Sequence, residues 1–153
     1  MVDFSKLAST SMDEVRRPPS APAGTYHGVV TGIKFADSRF DNKETEQKDG
    51  VLQIMLRPTA YLDDVLPEGY TLAGKLFTRE EPVIDCHGNA LQGQFYVKQL
   101  LESLGIPTAG RSFSEAVADL PSAHVMFDVT ARADKQNPEV IYNDVRKLRA
   151  RQS

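Results

Sequence analysis

The sequence predicts a mainly β, single-domain fold: five strands in a sheet or barrel, with a helix between the third and fourth. Runs of β-branched and aromatic residues recur along the chain, bounded by Gly, Pro, Asn and Asp. Only the stretch 94–104 carries a sustained three-and-four spacing of apolar residues. With 153 residues, 41% hydrophobic and 25% charged, the chain is long enough to bury a core without disulfides or metals.

Residues 1–23 mix Ser, Ala and Pro with scattered charge and end in Pro18-Pro19-Ser20-Ala21-Pro22, which predicts a flexible N-terminal arm. The domain is placed at 24–148, followed by a basic tail at 149–153. Strand one is expected at 25–35, with a bulge at Gly28 or Gly32. The polar stretch 36–50 reads as a mobile hairpin loop. Strand two follows at 51–57, where Leu52, Ile54 and Leu56 alternate with polar neighbours until Pro58. Strand three is expected at 70–79.

In the helical stretch Phe95, Val97, Leu100, Leu101 and Leu104 share a face, and Gly105-Ile106-Pro107 is a stop. A shorter helix at 114–119 has Ser112 or Ser114 as its cap and halts before Pro121. Strand four is expected at 124–132, with Val125, Phe127, Val129 and Ala131 on one side, and strand five at 140–148. Three strands, a helical insert and two further strands is the order of an oligonucleotide-binding barrel.

Several short motifs carry a family likeness: Pro22-Ala23-Gly24-Thr25-Tyr26 leading into strand one, Leu104-Gly105-Ile106-Pro107 closing the helix, and Tyr142-Asn143-Asp144-Val145-Arg146 in the last strand. On these the chain resembles phage-encoded single-stranded DNA-binding proteins with the oligonucleotide-binding fold, over residues 22–148. The resemblance implies a host-cytoplasmic viral protein that coats exposed strands in DNA replication or recombination and contacts other phage replication or recombination proteins; separately, the edge strands of an incompletely closed barrel are expected to pair with another copy, giving a homo-oligomer. Many such proteins end in an acidic tail that recruits partners, whereas this chain ends Lys147-Leu148-Arg149-Ala150-Arg151-Gln152-Ser153.

Binding single strands calls for aromatic platforms interleaved with cations on one sheet face. Lys75, Phe77 and Arg79 fall on alternate positions of the expected third strand, although Phe77 is equally suited to a core. Lys34, Phe35, Arg57 and Arg132 extend the candidate surface, subject to register. Phe40 lies in a polar loop with no obvious core to join, and Tyr142 reads either as a platform or as a core residue with its hydroxyl at the rim.

The formal charge of -3 does not advertise a nucleic-acid binder, but its distribution is uneven: acids crowd 41–49, 63–68 and 80–85, and cations the C-terminus. Chemistry is harder to assemble. There is no Gly-rich phosphate loop and no Gly-x-Ser-x-Gly elbow, and the histidines His27, His87 and His124 stand apart. Cys86 is the one cysteine, so neither an intrachain disulfide nor a multi-thiolate zinc site is available. The acidic pairs Asp63-Asp64 and Glu80-Glu81 lack the spacing of a calcium loop. The expectation is a non-enzymatic protein with no cofactor, metal or membrane span. The alternative is a virion structural or protein-interaction module on the same barrel.

Overall fold

The computed structural model describes residues 2–14 and 20–151. Two 3-10 turns, Ser5–Ala8 and Met12–Glu14, precede the domain. The strands are β1 (Gly24–Asp41), β2 (Lys48–Tyr61), β3 (Phe77–Ile84), β4 (His124–Ala133) and β5 (Ile141–Ala150). Helices α1 (Gly93–Ser103) and α2 (Phe113–Val117) lie between β3 and β4. The five strands form one sheet in the order β3-β2-β1-β4-β5, every neighbouring pair antiparallel.

The sheet does not close into a barrel. Its outer strands β3 and β5 share no backbone ladder, because their facing edges are satisfied otherwise. The Val83 carbonyl accepts from the Leu91 N–H at 3.1 Å and from Gln94 Nε2 at 2.7 Å. On the opposite edge the Val145 carbonyl accepts from Arg79 Nη1 at 2.9 Å. The expected five-stranded oligonucleotide-binding barrel is therefore corrected to an open, mainly antiparallel sheet with a helix between its third and fourth strands. The resemblance to phage single-stranded DNA-binding proteins rested on the element order of that barrel and falls with it.

Strand three is also displaced. Residues 70–76 alternate like a strand, but Gly69 and Gly74 take positive φ values of 85° and 77°, and the chain turns there. β3 starts at Phe77 and runs through Glu80-Glu81-Pro82 to Ile84, beyond the expected end at Arg79. Proline is tolerated because β3 is an outer strand, whose missing N–H breaks no ladder. The loop expected at 36–50 is largely strand as well: β1 continues to Asp41 and β2 begins at Lys48. Asn42 Nδ2 donates to Asp49 at 3.1 Å and holds the turn between them.

Alternation places Tyr26, Val30, Leu52, Ile54, Leu56, Val125, Phe127 and Val129 in one core. Tyr26 and Phe127 stack with centroids 5.8 Å apart and planes within 7°. Helix α1 adds Val97, Leu100 and Leu101 to it, and α2 adds Ala116 and Val117. Each such buried valine or leucine side chain stabilises the fold by roughly 1.5–3 kcal/mol. Helix α1 reaches the sheet because Gly93 has no side chain: a Cβ there would overlap the Pro82 carbonyl. Ser112 caps α2, its Oγ accepting from the Glu115 N–H at 3.2 Å. Among the described residues no helix is long and apolar enough to cross a membrane.

Candidate functional site

The gap between β3 and β5 opens into a groove of about 690 Å³. Its floor includes Gln53 and Met55 of β2, one wall comes from residues 75–80, and the other is Asn143, Asp144, Val145 and Arg146 of β5. Arg39 overhangs it from the β1–β2 hairpin, and Ala21 closes one end. Ala21 is docked by an imitation of strand pairing: its N–H donates to Asn143 Oδ1 at 2.9 Å, and its carbonyl accepts from Asn143 Nδ2 at 3.0 Å. Tyr26 assists from below, its hydroxyl donating to the Pro22 carbonyl at 2.6 Å. Burial pushes that hydroxyl well above the usual tyrosine range.

Four cations, Arg39, Lys75, Arg79 and Arg146, line the groove against two carboxylates, Glu80 and Asp144. The carboxylates are partly engaged, Glu80 with Arg39 at 3.8 Å and Asp144 with Arg132 at 3.2 Å. Arg79 is spent on Glu81, which is 8% exposed and sits 2.8 Å from the guanidinium. Lys75 and Arg146 have no ion-pair partner among the described residues. Lys75 Nζ lies 5.2 Å from the Tyr70 ring, within cation–π range, so its position is set without loss of charge. The groove is thus electropositive in a chain of formal charge -3.

The triplet expected to form a stacking face does not form one. Lys75 precedes β3. Phe77 packs inward, 5.5 Å from Tyr26 and 5.6 Å from Phe127. Arg79 bridges Glu81 and β5. The aromatic cluster is mostly buried, and with no closed barrel cleft, coating of single-stranded DNA by stacking on this face is overturned. The barrel that the alternative, a virion or protein-interaction module, relied on is absent as well.

The other candidates divide. Phe40 is 77% exposed, with the Arg39 guanidinium 6.0 Å from its ring, beside the groove mouth. Arg132 lies 5.2 Å from the Tyr142 ring, and Tyr142 immediately precedes groove residue Asn143. The Tyr142 hydroxyl donates to Asp134 at 3.1 Å. Asp134 also accepts the Gln136 and Asn137 N–H groups, and these bonds hold its carboxyl below the usual range. Lys34, Phe35 and Arg57 are exposed but do not line the groove; Phe35 instead meets Phe113 at 6.3 Å.

Sequence pattern does not single out Arg39, Tyr70 or Asn143. Arg39 falls in a stretch that reads as loop, and an Asn-to-backbone dock has no local signature. Among the described residues no three His, Cys, Asp or Glu side chains gather as a metal site. No family model matches the chain, and the comparison with curated proteins finds no match.

Proposed function

We propose that this chain is a non-catalytic binding domain that takes an extended, phosphate-bearing chain along the groove between β3 and β5. The observation that carries this reading is the pair Lys75 and Arg146, two cations without carboxylate partners on facing walls of the groove. Unpaired lysine and arginine are what a string of phosphates releases its counterions to meet. Bases would not need to stack on the buried rings. A cytoplasmic location accompanies the reading, since phosphate-bearing polymers abound there.

The test is fluorescence anisotropy with a labelled thymidine oligonucleotide across a salt series, with inorganic polyphosphate as competitor. The double variant Lys75→Ala/Arg146→Ala should weaken oligonucleotide binding at least tenfold and flatten the log–log salt slope by about 1.4, at about 0.7 for each phosphate that is no longer neutralised. Competition by polyphosphate would show that the phosphates suffice; failure to compete would refute recognition through the phosphates. Unchanged affinity in the double variant, or binding indifferent to salt, would refute the reading.

A further inference from the structure

Strand β5 carries an irregularity beside a second groove. In its ladder with β4, Arg146 faces Asp128 and Arg149 faces Met126, so Lys147 and Leu148 together oppose Phe127 alone. This is a β-bulge, and Lys147 occupies it at a φ of 53°. That left-handed conformation is one glycine adopts freely and a lysine adopts at a cost. The bulge turns Lys147 out of the alternation that would otherwise govern its direction, and its side chain lines a groove of about 380 Å³ between α1 and β5. Arg149 braces the turn, Nη1 donating to the Lys147 carbonyl at 2.6 Å.

The charges around this groove are unevenly spent. Arg149 is held by Asp128 at 3.3 Å and Arg79 by Glu81 at 2.8 Å. Lys147 has no ion-pair partner among the described residues and is exposed. Across the groove α1 offers Tyr96, 50% exposed, with Gln99 and Ser103 beside it. Arg79 lines both this groove and the larger one, so the two meet at a single side chain.

We infer that the phosphate-bearing ligand runs past Arg79 into this second groove, where Lys147, presented by the bulge, meets a further phosphate. The inference rests on the function proposed above and extends its footprint from β3 and β5 to the face of α1. Lys147, Arg146 and Lys75 then form a line of unpaired cations along the open seam of the sheet.

The experiment sets stability against affinity. Lys147→Gly removes the side chain and the backbone strain together, so its urea midpoint should rise while its affinity for the thymidine oligonucleotide falls about three- to tenfold, with the salt slope flattened by about 0.7. Lys147→Ala should lose the same affinity without the rise in midpoint, and Lys147→Arg should retain binding. If Lys147→Gly and Lys147→Ala bind with wild-type affinity and slope while Lys75→Ala/Arg146→Ala does not, the track ends at Arg79 and this inference fails alone. If the double variant also binds normally, the proposed function fails with it.

Discussion

The guanidinium of Arg79 donates to the backbone carbonyl of Val145 across 2.9 Å, the one hydrogen bond joining β3 to β5 among the described residues. The same side chain grips Glu81 through Nε and Nη2, both at 2.8 Å. A single arginine therefore spans the gap between β3 and β5 at one point and neutralises the most buried acid in the domain.

Removing that arginine leaves Glu81 charged, poorly hydrated and alone. Loss of a fully buried partner costs about 3–5 kcal/mol; with Arg79 a third exposed, Arg79→Met should cost about 2 kcal/mol, read from urea unfolding. Arg79→Met/Glu81→Leu should recover most of the loss, because no buried charge is then stranded. A double variant as unstable as the single one would show that the arginine acts through the Val145 bond alone.

Gly93→Ala should be destabilising although alanine is the better helix former. The gain in propensity is about 1 kcal/mol. Against it stands the Pro82 carbonyl, backbone that cannot swing aside as a flexible side chain would. A clash this close with backbone falls at the upper end of the overpacking cost of about 1–3 kcal/mol, so the net loss should be about 2 kcal/mol. Calorimetric melting of the variant would show it, and a rise in melting temperature would contradict the close packing of α1 on β3.

Stability should fall between pH 7.5 and pH 5.5. Burial first, and then the nearby Arg151 charge, hold the His27 imidazole below the usual histidine value. The folded state thus binds this proton less readily than the unfolded chain does. The resulting stabilisation is complete above the unfolded value of about 6.5 and is lost as pH falls through it toward the folded one. His27→Gln should flatten this part of the urea-midpoint profile; an unaltered profile would place the titration elsewhere.

Much of the framework is legible from periodicity. The spacing of Val97, Leu100 and Leu101 locates α1 to within a residue, and the alternation of Val125, Phe127 and Val129 marks the inner face of β4. Register shifts in β1 fall beside Gly28 and Gly32, the glycines expected to carry a bulge. The misreadings share a cause: edge and hairpin segments are polar on both faces, so 36–41 resembles loop and strand three is ended at Arg79, short of Glu80-Glu81-Pro82. Phe77 cannot be assigned to core or surface until the strand start is known, since a shift in register reverses every side chain. Closure of the sheet is beyond local pattern altogether, because what satisfies the edges of β3 and β5 is a guanidinium, an amide side chain and a loop N–H from distant positions. The groove cations are visible as residue types but not as neighbours.

The docking of Ala21 on Asn143 fixes where the polypeptide enters the domain: at the rim of the groove between β3 and β5. Whatever is joined on the N-terminal side of Ala21 is consequently tethered within a few residues of Lys75 and Arg146, at an effective concentration on the order of millimolar. An acidic affinity tag placed there would act as a built-in competitor, one that dilution cannot remove.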